Sequence, residues 1–310
     1  MLHTFYSDGV DIPLPPKHPF PHSKYRLLRE RVERLAERLP LVLAPAREAT
    51  EEELLRVHTA GYVAEVLEGR LSEEHQRAIG FPWSPDFVRR SRRSTGATVM
   101  AAHAVMGDGS GNGQRAWGAH LAGGTHHASA DRGQGFCVFN DVAVAIRSLQ
   151  ATGLTRRAVV LDCDVHQGNG TALLFGDDPD VFTFSIHGAK NFPLRKEQSD
   201  LDVPLEDGTG DAEYLAKLAP ALKRVWNEEP FDVAFYISGA DPFAQDRYGR
   251  MGLSREGLRE RDELVLSQCR ERGLPTVTVM GGGYARDVEA VADIYAATIE
   301  VAAQYAAKAE

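Results

Sequence analysis

The sequence predicts an α/β protein: one central, mostly parallel sheet with helices on both faces. Three observations predict it. First, apolar, β-branched runs recur and each ends abruptly in small or polar residues, as in Ala158-Val159-Val160-Leu161, Val233-Ala234-Phe235-Tyr236-Ile237 and Thr276-Val277-Thr278-Val279-Met280. Short continuous runs of this kind mark strands buried on both faces. Second, helical patterns alternate with these strands, and such alternation builds a parallel sheet covered on both sides. Third, 310 residues with 43% hydrophobic content can bury a large core, and parallel sheets of this length commonly form one domain, so residues 1–310 are read as a single domain.

Along the chain, Pro13, Pro15, Pro16, Pro19 and Pro21 make the opening an irregular loop, expected at the rim of a site. Residues 50–67 read as one helix, with Thr50 and Glu53 forming a capping box. Residues 73–85, which hold Phe81, Trp83 and two prolines, read as a second rim loop, where an exposed aromatic side chain either contacts substrate or packs the loop down. Residues 107–113 alternate glycine with polar residues ahead of a strand, which indicates a turn and not a nucleotide-binding fingerprint. Beyond a strand at 180–186, helices are expected over 211–226, 254–272 and 287–308, the last rich in alanine and packed on the sheet. No internal repeat is visible.

The chemistry concentrates where strands end. Asp162-Cys163-Asp164-Val165-His166 follows the run that closes at Leu161, and alternate side chains of a strand share a face, so Asp162, Asp164 and His166 can project together. Two carboxylates and an imidazole suit a borderline ion such as Zn²⁺, which in catalytic sites takes three protein ligands and leaves one position open. If only two of these residues bind, a third ligand must come from elsewhere. The competing reading makes the aspartates loop caps and His166 a satisfied core histidine. Three more strand ends bear on the choice: Gly123-Gly124-Thr125 leads to His126-His127, Ser238-Gly239-Ala240 to Asp241-Pro242, and Gly281-Gly282-Gly283 to Tyr284. Open α/β sheets bind ligands outside the carboxyl ends of their strands, so the four ends can share one crevice. Paired histidines, an Asp-Pro turn or a glycine run mean little singly. Together they supply what amide hydrolysis requires: a metal to polarise the carbonyl and acidify water, a histidine to move the proton, and a phenol for the oxyanion.

These segments, with Gly124-Thr125-His126-His127-Ala128, Asp131-Arg132-Gly133-Gln134-Gly135-Phe136-Cys137 and Leu161 through Gly170, resemble the zinc-dependent histone deacetylase family of the arginase/deacetylase superfamily over nearly the whole chain. His18-Pro19-Phe20, Arg56-Val57-His58-Thr59 followed by Tyr62, and Asp131-Arg132-Gly133 look most like its class IV branch. The resemblance implies an arginase/deacetylase-like fold, one Zn²⁺ on Asp164, His166 and Asp241, His127 as general base and acid, His126 as its electrostatic neighbour held by Asp162, and Tyr284 on the substrate carbonyl. It further implies a channel walled by Phe136 and Phe192 with the Gly135 backbone beside it, and a structural K⁺ or Na⁺ bound by the backbone around Asp162, Asp164 and His166 with Ser185 and Ile186. The related arginases carry Asp-x-His-x-Asp to bridge two manganese ions, whereas the order here is Asp-x-Asp-x-His, which favours one metal; iron or cobalt suits the same ligands. Asn169 departs from the family's best-known members, which place an aspartate there to orient the general base. An amide still accepts a hydrogen bond but adds no charge, so it should leave the His127 pKa lower than a carboxylate would.

The implied substrate is an acylated lysine in a protein or peptide, the alternatives being a small acylated amine such as an acetylpolyamine, or a pseudoenzyme that binds acyl-lysine without cleaving it. A formal charge of −9 argues against direct nucleic-acid binding and is compatible with cationic partners. Neither a signal-peptide pattern nor a membrane-length apolar run is visible, and Cys137, Cys163 and Cys269 follow no paired spacing, so a cytoplasmic protein with free thiols is expected. Cys163 should point away from the metal ligands, into the core.

Overall fold

The computed structural model describes residues 1–10, 12–107 and 117–307. Eight strands, Leu2–Tyr6 (β1), Leu41–Pro45 (β2), Trp117–His120 (β3), Ala158–Asp162 (β4), Val181–Gly188 (β5), Leu201–Leu205 (β6), Val233–Ile237 (β7) and Thr276–Val279 (β8), form one sheet in the order β2-β1-β3-β8-β7-β4-β5-β6. Every neighbouring pair is parallel. The helices are Lys24–Ala36 (α1), Glu51–Leu55 (α2), Ala60–Glu68 (α3), Glu73–Ile79 (α4), Pro85–Met106 (α5), Asp141–Ala151 (α6), Asn169–Phe175 (α7), Asp211–Trp226 (α8), Arg255–Glu271 (α9) and Val288–Ala307 (α10). None among the described residues is long and apolar enough to cross a membrane.

The period of two along each strand sorts the core into two layers. Val159, Leu161 and Cys163 face one side with Ala234 and Tyr236, under α1, α8, α9 and α10. Ala158 and Val160 face the other with Val233, Phe235 and Ile237, under α3, α5 and α6. Cys163 therefore points away from Asp162 into the packed layer, as expected, and all three cysteines are buried free thiols.

The order of the strands fixes where a ligand can sit. From β4 the chain builds outward through β5 and β6, then returns to the other side of β4 for β7 and β8. This reversal at β4 is a topological switch point, where crossovers diverge and leave a crevice at the carboxyl ends. The segments after β4 and β7 carry Asp164, His166 and Asp241.

Three local expectations are corrected. Residues 50–67 form two helices rather than one: the Thr50/Glu53 box caps α2, but the helix stops at Leu55 and Thr59 caps α3 with its own hydroxyl. The break frees His58, whose ring reaches Ser129 O (2.9 Å) and the backbone N of Asn140 (3.0 Å). Residues 73–85 are not a loop throughout, because Ser72 caps α4 and only the stretch between α4 and α5 is irregular. Phe81 there is buried, packed on Phe20 and Phe136 at ring separations of 4.9 and 5.3 Å, so it is a wall and not an exposed contact. The turn expected at 107–113 lies, beyond Gly107, outside the described residues, as does Lys308. Strands β1 and β6 carry no continuous apolar run, whereas β2 does in Leu41-Val42-Leu43-Ala44.

Thr50→Ala is expected to lower the unfolding free energy by about 1 kcal/mol, read from the urea midpoint at constant slope. No shift would show that the box does not hold α2.

Candidate active site

Asp164 and His166 follow β4 and Asp241 follows β7, two adjacent strands paired with Asp162 opposite Ile237. Their ligand atoms lie within 4.8 Å of one another, and all three residues are buried. Asp162, the other carboxylate of the motif, is not part of this group. It accepts instead from His126 Nδ1 at 2.7 Å and from the Asp164 backbone N at 3.1 Å.

Backbone N–H groups aim the ligands. Asp164 Oδ1 receives His166 N (2.9 Å) and its Oδ2 receives Gly282 N (2.6 Å), while Asp241 Oδ1 receives Val165 N (3.0 Å). Gly282 must lack a side chain, since a Cβ there would collide with Oδ2 of Asp241. His166 Nδ1 stands 3.0 Å from both Asp164 Oδ1 and Asp241 Oδ2. Oδ2 of Asp241 nonetheless accepts no well-directed hydrogen bond, although it is buried. Two carboxylates and an imidazole nitrogen thus converge with an acceptor left over, a donor set that fits a single divalent ion.

The charges agree with that fit. Burial, reinforced by the Asp164 charge, pushes the Asp241 carboxyl up to about 7. Burial alone would lower His166, but Asp241 and Asp164 outweigh it and raise the imidazole to about 10. Asp164 goes the other way: despite its burial, His126 and His166 hold it well below the usual carboxylate range.

His126 and His127 sit side by side, ring centroids 4.2 Å apart. His126 is raised to about 9, since the Asp162 and Asp164 charges overcome the burial that would lower it. His127 moves well below the ordinary histidine range, through burial first and then the positive His126 and His166. Its Nδ1 is bound to Asn169 Oδ1 at 2.7 Å, so an amide does occupy the orienting position. The two imidazoles are thereby driven apart, His126 toward its charged form and His127 toward its neutral form.

Tyr284 follows the glycine run after β8. Burial raises its phenol well above the usual value, so it stays a donor. Its backbone N donates to Asp246 Oδ2 (2.6 Å) and its carbonyl accepts from Arg247 Nε (2.6 Å). The glycine run itself is held from beneath. Lys24 Nζ donates to Gly283 O (3.0 Å), and the Tyr295 hydroxyl donates to Gly281 O (3.0 Å) and Gly282 O (2.9 Å).

A cavity of about 370 Å³ opens outward from His127 and His166 between Phe136, Phe192 and Tyr284. Phe192 stands edge-on to His127 at 4.9 Å. Gly135 has φ +57°, and a Cβ there would come within 2.8 Å of the His127 ring, so the backbone itself forms that part of the wall. Phe136 also has positive φ, 67°, a strained conformation for a large side chain, and it is held there by hydrogen bonds from Gly135 N to Ala78 O and Phe136 N to Ile79 O, both 2.9 Å. The last turn of α4, read from sequence as loop, is what holds the channel wall.

Ser185 lies opposite Asp162 in the β4–β5 ladder, with Ile186 next along β5. Sequence reasoning missed Tyr248, Asn191, Lys190 and Arg250, which line the mouth, and Asp246, which positions Tyr284. The only signal was polar residues following the Asp241-Pro242 turn, which covers Asp246, Tyr248 and Arg250, while Lys190 and Asn191 follow β5.

Known proteins bear on this arrangement. The family model described as "Histone deacetylase domain" matches residues 18–302. The chain is 40% identical over 285 residues to an uncharacterized protein of Picosynechococcus sp., covering 92% of each. It is 28% identical over 296 residues to Histone deacetylase 2 of Arabidopsis thaliana, covering 91% of this chain and 74% of that one. It is 27% identical over 282 residues to the acetoin utilization protein AcuC of Staphylococcus aureus, covering 86% and 72%. Among solved structures, the HDA15 HD domain superposes with a TM-score of 0.79 at 21% identity, covering 97% of this chain and 90% of that one, which shows a shared fold.

Calorimetric titration with Zn²⁺ in buffers of different ionisation enthalpy should show one ion bound per chain with release of protons, and Asp241→Asn should weaken binding by more than about 100-fold. Binding without proton release, or full affinity in the variant, would contradict the triad.

Proposed function

This chain belongs to the histone deacetylase domain family, and from that premise we propose that it is a zinc-dependent amidohydrolase that removes an acetyl or other acyl group from a lysine ε-amine. The carrying observation is the convergence of Asp164, His166 and Asp241 beside a neutral His127 and a protonated Tyr284 at the base of one channel. The match over residues 18–302 supports reading the chain as one catalytic domain, and the class IV-like motifs support a place in that branch.

A divalent ion on the triad supplies positive charge that polarises the acyl carbonyl. The chain's own groups do the rest. The Tyr284 phenol donates to the carbonyl oxygen as negative charge develops there. His127 takes a proton from the attacking water and returns one to the leaving amine, so the C–N bond breaks with the acyl carbon gaining the hydroxyl. His126, kept positive by Asp162, stabilises negative charge beside the reacting carbon and keeps His127 neutral and ready to accept. Phe136 and Phe192 flank the aliphatic lysine stem and exclude water from it. The register that puts Ser185 beside Asp162 supports a structural K⁺ or Na⁺ among the backbone carbonyls of those two segments.

A polycationic amine is disfavoured as substrate. The cations at the mouth, Lys190 and Arg250, are paired with Glu206 and Asp207, leaving no net negative charge to attract one.

Two outcomes test this reading. His127→Ala and Tyr284→Phe should each lower kcat on an acetyl-lysine peptide by at least about 100-fold while the chain keeps its zinc; near wild-type rates in both would sink it. Asn169→Asp tests the base. A carboxylate on Nδ1 stabilises the His127 imidazolium, so the pKa rises and the acidic limb of the kcat/KM profile moves to higher pH. An unmoved limb would count against His127 as the base.

A further inference from the structure

Beyond the floor of the site lies a second cavity, of about 50 Å³. It shares Phe20, Tyr25 and Phe136 with the space over the metal triad and so adjoins it on the side away from the channel mouth. Its wall carries Arg90 of α5. That side chain is 6% exposed, its Nε is buried without a partner, and among the described residues the guanidinium makes no hydrogen bond and no ion pair. It has only the face of Tyr25, 4.8 Å from its central carbon.

Arg89 and Arg92 of the same helix both reach Glu48; Arg93, whose Nε is likewise buried without a partner, does not line this cavity. Asp141, on the adjoining helix α6, is not available to Arg90, because its oxygens receive Thr98 Oγ1, Gly124 N, Thr125 N and Thr125 Oγ1. A buried guanidinium without a counter-charge is costly, and its planar fork is matched by a carboxylate. Ser94 adds a hydroxyl to the same wall.

We propose that this cavity receives the terminal carboxylate of a dicarboxylic acyl group, so that the substrate is an acid-tipped acyl-lysine of the malonyl, succinyl or glutaryl class. This rests on the amidohydrolase reading: with the lysine stem in the channel and the acyl carbonyl at the triad, the acyl tail is directed inward, toward Arg90. The cavity has room for a few water-sized groups, which suits a short polar end and not a fatty chain.

The test has two arms. In the first, zinc-loaded protein is given peptides carrying acetyl-, butyryl-, valeryl-, succinyl- or glutaryl-lysine. Succinyl over butyryl, or glutaryl over valeryl, should be favoured in kcat/KM by at least about tenfold, with the ratio lost in Arg90→Met and partly kept in Arg90→Lys. Cleavage of acetyl-lysine with the neutral chain preferred overturns the inference and leaves the hydrolase reading standing. The second arm needs no turnover: glutarate should raise the Tm of the wild type but not of Arg90→Met, and butyramide should raise neither. A glutarate shift supports the carboxylate site even if no peptide is cleaved, in which case only the hydrolase reading fails. No shift in the wild type, an equal shift in Arg90→Met, or acetate acting as strongly as glutarate overturns the acid-tipped assignment.

Discussion

Two buried carboxylates from neighbouring strands meet at one imidazole, and the surrounding structure follows from making that meeting possible. Asp164 and Asp241 would repel each other in a medium far less polar than water unless a cation stood between them. The sheet supplies the geometry, because parallel pairing of β4 and β7 fixes the two segments side by side. Their backbones are tied from behind by Arg261, fully buried, whose Nη1 donates to Gly239 O (2.7 Å) and Cys163 O (3.4 Å). Arg261 is in turn braced by Asp262, which also accepts from Tyr236 and Thr298. One cation beneath the site thus fixes the loops that carry the ligands.

The same electrostatics divide the two histidines. Asp162 spends its negative charge on His126, and the positive His126 then helps hold His127 neutral. An amide at Asn169 orients His127 without reversing that effect. The difference between the two imidazoles is therefore a property of their partners rather than of the rings themselves, which are chemically identical.

The strand-end chemistry was legible in the sequence because the proposed ligands and catalytic groups follow closely on apolar runs, and strand ends are local features. Asp164, His166, Asp241, His126, His127, Tyr284 and the Asn169 contact are all brought together as the motifs implied. What was not legible depends on partners far along the chain. The break after Leu55 exists because His58 bonds groups 71 and 82 residues away, which no helical periodicity signals. Residues of α4 looked like loop because their aromatic and proline flanks dominate the pattern, yet its last turn clamps Phe136. Nothing in the sequence distinguishes Arg90 from Arg89 and Arg92, and only tertiary packing leaves its Nε without a partner while those two reach Glu48.

The most direct test of the account is single-turnover hydrolysis of an acetyl-lysine peptide by protein stripped of metal and then titrated with Zn²⁺, with bound zinc measured in the same samples. The account predicts a rate that rises in proportion to bound zinc and levels off at one ion per chain. Hydrolysis by the stripped protein, or none with the triad filled, would contradict it.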